Sequence, residues 1–200
     1  MSTANASNVS SNQSTPALAP GAFFTVDPVH TTAGFSVRHL MVTSVRGVFE
    51  RLSGTVRYDA TAPASLQVEA TIWTASVRTR DAQRDAHLAS ADFFDSATHE
   101  TMTFRSTHVT PSPDHAALVL RGDLTIRGVT RPVDLEVQNI APEQRDFNGK
   151  VRIGAMATAR IKRSEFGITF NKVLEAGGVA ISDEVAITID VSLVKEEAVA

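Results

Sequence analysis

A hydropathy period of two, sustained over long stretches, is the feature that most constrains this chain. From Leu66 to Thr74 the apolar residues Leu66, Val68, Ala70 and Ile72 alternate with Gln67, Glu69, Thr71 and Trp73. Over 151–161 the set Val151, Ile153, Ala155, Ala157, Ala159 and Ile161 shares one face, opposite Arg152, Thr158 and Arg160. Val185, Ile187, Ile189, Val191 and Leu193 repeat the pattern against Thr188, Asp190 and Ser192, and the segments 33–40, 102–109 and 133–137 read the same way. Successive side chains of a strand point to opposite faces, so each segment gives an antiparallel sheet one dry face and one wet face. Turn formers fall between several of them, at Asp27-Pro28, Ser53-Gly54, Arg127-Gly128, Asn148-Gly149 and Gly177-Gly178.

The pattern predicts strands at 22–27, 32–40, 47–59, 65–74, 101–109, 115–127, 131–139, 149–162 and 183–194, with a bulge bending the third near Ser53-Gly54. An all-β fold of long strands with one dry face favours a closed antiparallel barrel, because closure removes exposed edges; a two-layer sandwich is the alternative. Residues 81–90 (DAQRDAHLAS) break the period and read as a helix, with Ala82 and Leu88 apolar and no β-branched residue. A second helical turn is expected at 164–167.

Among 200 residues, 42% hydrophobic and 20% charged, there is material for one folded domain. Residues 1–20 carry no charge and few apolar groups, so the expected division is a flexible polar tail at 1–21 and a domain at 22–195. The start lacks the basic residues and apolar stretch of a secretory signal, which points to a cytoplasmic protein. A net charge of -3 offers nucleic acid no basic surface. The longest apolar run, Ala116 to Leu120, is far short of a membrane span.

Catalytic chemistry is not written in recognisable form. With no cysteine there are no disulfides, thiol nucleophiles or thiolate metal sites. His30, His39, His87, His99, His108 and His115 form no H-x-x-x-H or H-E-x-x-H pair, so no metal is expected. The chain has no G-x-S-x-G, phosphate loop or dinucleotide fingerprint. Asp81, Asp85, Asp92 and Asp95 cluster about the helix, where capping and the helix dipole account for them. The aromatic inventory says more. Ten Phe stand against one Trp and one Tyr, suiting a dry interior. A barrel of about eight strands is either filled by side chains or holds one ligand. The small residues Ala155, Ala157 and Ala159 leave room either for a ligand or for the helix.

Five ordered blocks together resemble one family. FTVDPVHTTAGFSVRHLMVTSVRGVF (Phe24 to Phe49), RDAHLASADFFD (Arg84 to Asp95), TFRST (Thr103 to Thr107), GDLTIRGVTRPVDLEV (Gly122 to Val137) and RSEFGI (Arg163 to Ile168) are similar to the YceI-like proteins, lipocalin-like polyisoprenoid-binding proteins of bacteria. The likeness runs from about Phe23 to Leu193. Thr31 stands where the family usually has Ser, His99-Glu100 replaces Tyr-Pro, and Lys162 and Glu165 replace Asn and Asp. The resemblance implies an extended lipocalin-like barrel, commonly dimeric, that holds a long isoprenoid chain without transforming it: a quinone or a polyprenyl phosphate, with no other cofactor. Trp73 and Met156, apolar on otherwise wet faces, offer slight support for a homodimer. The expected apolar wall is Phe35, Val37, Phe49, Val68, Ile72, Leu88, Phe93, Phe94, Phe104, Leu124, Ile126, Ile153, Ala155, Ala157, Ala159, Phe166 and Phe170. Among the polar residues that match the family blocks, Arg38, His39, Arg84, Asp85, His87 and Arg127 are candidates for holding a headgroup at the barrel mouth, since Arg suits phosphate and Arg or His suits a quinone carbonyl. His30, Arg131 and Arg163 match too. The competing reading is structural: Arg84 and Asp85 pin the helix, while Arg127 and Arg131 brace the turn around Gly128. Two other functions remain open, an enzyme acting on an isoprenoid at the mouth and a solid barrel serving as a stress-response or interaction module.

Overall fold

The computed structural model describes residues 21–59, 61–112, 117–173 and 179–197; the proposed N-terminal tail and His115 fall outside them. The strands are β1 (Ala22–Val26), β2 (Thr32–His39), β3 (Thr43–Phe49), β4 (Leu52–Tyr58), β5 (Gln67–Trp73), β6 (Val77–Arg78), β7 (Thr101–Pro111), β8 (Leu118–Ile126), β9 (Val129–Gln138), β10 (Gln144–Arg145), β11 (Val151–Lys162) and β12 (Ile181–Lys195). One helix, α1 (Ala82–Ala89), lies between β6 and β7, and a 3-10 turn spans Arg163–Phe166. Pairing is antiparallel throughout, and the ring β11-β9-β8-β7-β5-β4-β1-β12 closes on itself through β12 and β11. The closed barrel, not the sandwich, is the answer.

The long strand β12 explains how the barrel is extended. Its C-terminal residues pair with β1 (Val26 opposite Leu193), and its N-terminal part pairs with β2 (Phe35 opposite Ile187). The strands β2, β3 and β6 thereby continue one wall beyond the closed ring. The single strand expected at 47–59 is in fact two. Glu50 and Arg51 leave the ladder to meet the 74–76 turn: the Glu50 amide donates to the Ser76 carbonyl, the Arg51 amide to Ser76 Oγ, and the Trp73 amide to the Arg51 carbonyl. Ser53-Gly54 holds no bulge, for Gly54 pairs in register with Ala70. The register shifts instead between Ser106 and His108 and between Ile181 and Val185.

The helix forms as its sequence suggests. Asp81, in extended backbone, caps it by accepting from the Arg84 amide at 2.9 Å. The predicted second turn is the 3-10 turn at Arg163–Phe166, ended by Gly167 at φ +74°. Trp73 and Met156 are half-buried, not exposed, and the Arg51 guanidinium covers the Trp73 ring at 4.1 Å, which removes the support they offered a homodimer. Among the described residues no helix is long and apolar enough to cross a membrane.

Candidate functional site

The inward faces of the strands do not meet. They enclose a cavity of about 310 Å³ that runs from Tyr58, Leu66 and Ile140 at one end to Phe94, Ile168 and Ile181 near α1. That is the lower range of pockets that hold drug-sized ligands. On β11 the lining runs from Ile153 to Ile161, about 20 Å along the barrel axis at the usual rise and tilt. The cavity is long and narrow.

Its wall is almost wholly apolar. Every predicted wall residue lines it except Ala159 and Phe170. Ala159 packs within the core beside it, and Phe170 sits one layer back, its ring 5.3 Å from that of Phe93. The lining also includes Ala33, Leu135, Val137, Ile187, Ile189 and Val191, which were not named as site residues although their strands show the same alternation. Glycines opposite two of the rings set the shape of the wall. A Cβ on Gly47 would sit 2.4 Å from the Phe35 ring, and one on Gly122 would sit 2.3 Å from that of Phe104. Each ring therefore lies over a neighbouring strand, where no side chain rises to push it into the lumen.

The six headgroup candidates are absent from this lining. Thr79, itself buried, explains two of them: Arg84 Nε donates to Thr79 Oγ1 at 2.8 Å and Arg84 Nη2 to its carbonyl at 2.7 Å, while Asp85 accepts from its amide at 2.8 Å and from its hydroxyl. The pinning role is the one the geometry displays. His87 pairs with Asp92 at 2.9 Å, and its ring meets those of Phe93 and Phe170 edge-on. Arg127 donates to the Phe93 carbonyl at 2.9 Å, tying the β8–β9 turn to the segment after α1. Arg38 donates to the Met41 carbonyl, and His39 ends β2 opposite Ile181. Arg131 donates to the adjacent Thr130 carbonyl.

Two charged residues contribute to the lining: Glu69, which is exposed and pairs with Arg105, and Arg163. Arg163 is buried, and its guanidinium donates to the carbonyls of Ile168, Phe170 and Ser182 at 2.8–3.0 Å. Desolvation pushes its pKa down, with Asp183 partly opposing the shift. These bonds hold the 168–170 segment against the start of β12, so the charge serves the wall. Of the positions that depart from the family pattern, Thr31 alone among the described residues lines the cavity, and its hydroxyl is already engaged. Thr31 Oγ1 exchanges hydrogen bonds with the Ser192 backbone, the carbonyls of His99 and Glu100 accept from Thr74 Oγ1, and Lys162 and Glu165 are exposed. Among the described residues no group of His, Asp and Glu converges as metal ligands would.

A closed eight-stranded antiparallel barrel with a helix beside its interior and an apolar lumen defines the lipocalin-like class. A profile of the YceI-like domain matches residues 24–193, and the chain belongs to that family. A UPF0312 protein of Staphylococcus aureus is 35% identical over 162 residues, spanning 81% of this chain and 91% of its own. The Campylobacter jejuni YceI protein superposes with a TM-score of 0.67 at 29% identity, over 80% of this chain and 90% of that one. A polyisoprenoid binding domain from Saccharophagus degradans, implicated in plant cell wall breakdown, superposes with a TM-score of 0.62 over 88% of this chain and all of its own; at 15% identity that likeness speaks to the fold.

Proposed function

We propose that the protein binds a long isoprenoid lipid, of the quinone or polyprenyl phosphate type, with its tail along the barrel axis, and carries or stores it without transforming it. The observation that carries this reading is the cavity: long, narrow and walled by hydrocarbon, with the buried Arg163 beside it engaged by backbone carbonyls. Such a space offers a tail everything it gains by leaving water and offers a polar substrate nothing. The fold-sharing Saccharophagus degradans domain, described as polyisoprenoid binding, is consistent with it. A cavity of about 310 Å³ between the strands argues against a solid interaction module. The polar groups around α1 are paired with protein, which argues against an enzyme at that end.

Tail length should decide affinity. At roughly 0.3 kcal/mol per buried heavy atom, a twenty-carbon tail contributes ~6 kcal/mol, and a forty-carbon tail would contribute ~12 only if the barrel widened to bury all of it. These correspond to dissociation constants of roughly tens of micromolar and nanomolar. Organic extraction of the purified protein followed by mass spectrometry should yield one stoichiometric lipid class. A series of isoprenoid alcohols of increasing length, titrated against delipidated protein, should show affinity rising with each unit until the lumen is full. Flat affinity across the series would refute the reading.

A further inference from the structure

The β2–β3 turn is built against local preference. Leu40 and Met41 both occupy the left-handed region, at φ 51° and 58°, and the Val42 amide donates to the His39 carbonyl. Two successive left-handed residues stand in the three-residue loop between His39 and Thr43, positions that Asn and Gly fill with least strain and that branched or bulky side chains avoid. Here the side chains are also in water: Met41 is 60% exposed and Val42 80%. A second strand of chain extends the patch. The Leu40 amide donates to the Ala180 carbonyl, and Val173, 85% exposed, bridges to Val179. Single exposed apolar residues are ordinary, but a strained and exposed apolar cluster is not.

Its surroundings say what it fits. The patch borders the end of the lumen, since Val37 and Ile181, both lining residues, stand immediately behind the turn. Arg38, Arg46 and Lys172 present exposed cations around it on a chain whose net charge is -3. The neighbouring acids on β12 are engaged, Asp183 with Ser164 and Glu184 with Arg160. Apolar side chains at a tip ringed by cations match the interface of an anionic bilayer, where the former enter the acyl boundary and the latter meet the headgroups. We propose that this rim docks the barrel on anionic membrane surface. The purpose of docking rests on the lipid-binding reading, because a tail insoluble in water must be collected from a bilayer; the docking itself is testable without any isoprenoid.

The test is sedimentation of the full chain with vesicles of phosphatidylcholine alone and of phosphatidylcholine and phosphatidylglycerol in equal parts. Binding should favour the anionic vesicles and weaken as salt rises. The double variant Leu40→Asn/Met41→Gly installs the turn residues the backbone prefers. It should be at least as heat-stable as the parent, yet bind vesicles about tenfold or more weakly. Val42→Ser/Val173→Ser, at the two more exposed positions, carries the same expectation should the first variant fold poorly, and Arg46→Glu/Lys172→Glu should abolish the preference for anionic lipid. Vesicle binding unchanged in these variants, or no binding by the parent, would overturn the proposal. So would a parent dimer that the turn variant converts to monomer with vesicle binding intact, which would assign the tip to a second copy. Tail uptake in solution keeps the two readings apart: uptake without docking sinks only the docking, and docking without uptake sinks only the lipid-binding lumen.

Discussion

Small side chains decide how much room this barrel contains. Gly47 and Gly122 let the Phe35 and Phe104 rings lie along the wall, and Ala155 and Ala157 keep β11 low where it faces the lumen. Had these positions carried ordinary core residues, the interior would be packed as protein cores usually are. Ala157 is the informative one to change, because it is buried and faces the cavity. In Ala157→Phe the new ring should enter the lumen and occupy tail volume. The expected result is a loss of long-tail binding of about tenfold or more with a stability change under about 1 kcal/mol, whereas overpacking of a filled core costs ~1–3 kcal/mol. Urea midpoints and tail titrations on delipidated protein check both halves, since bound lipid adds stability of its own. A large drop in midpoint with unchanged binding would mean that the tail lies elsewhere.

Elements differ in how strongly they are held, and α1 depends on one hydroxyl. No residue of the helix is fully buried, and its packing comes from Leu88 at the lumen and the His87 ring against Phe93 and Phe170, so polar bonds to the barrel matter. Its attachment runs through Thr79, which receives Arg84 and donates to Asp85 from the same oxygen. Thr79→Val keeps the volume and removes that oxygen, leaving two charged partners short of a bond at a cost of about 1–3 kcal/mol. Hydrogen exchange should then accelerate over 82–95, including Phe93 and Phe94 of the cavity wall, while β7–β9 stay protected; equal acceleration everywhere would contradict a local clamp. This element was legible in the sequence, where the break in the two-residue period and the Asp81 cap marked it within a residue at either end. The barrel strands were legible for the same reason, since one dry face is a local signal. The division of 47–59 was not. Glu50 and Arg51 carry no turn chemistry of their own, and the break is imposed by Ser76, distant in sequence and adjacent in space. The surroundings of the headgroup candidates were illegible for a related reason: a residue type shows that a side chain can hold a headgroup, but only the fold shows that Arg84 and Asp85 bond Thr79, His87 bonds Asp92 and Arg127 bonds the Phe93 carbonyl.

At the scale of the whole molecule, the barrel must be shut where its first and last strands meet. The β1–β12 seam is short, with Phe24, Thr25 and Val26 opposite Lys195, Val194 and Leu193. A clamp on the outer surface reinforces it. Arg152 of β11 reaches past Ser192 of β12 to Asp27 after β1, and its Nε donates to Asp146 beyond β10 at 2.7 Å. His30 bonds the same Asp27 carboxylate at 2.8 Å. The hydrogen bond from Arg152, and after it that from His30, holds the Asp27 carboxyl far below the usual carboxylate range; Arg152 also depresses Asp146. A carboxyl whose pKa is lower folded than unfolded stabilises the fold at pH above its unfolded value of about 4 and loses that contribution as pH falls towards its folded value. The urea midpoint should therefore be level in this respect from neutrality down to about pH 5 and fall below about pH 4. Asp27→Asn should start lower at pH 7, because an amide cannot complete the charged bond to Arg152, and should then fall less steeply with acid. Some slope should persist, for Asp134 beside Arg121 and Asp183 beside Ser164 are depressed as well. An acid limb as steep in Asp27→Asn as in the parent would show that the seam is held by its ladder and its buried Phe24 rather than by this clamp.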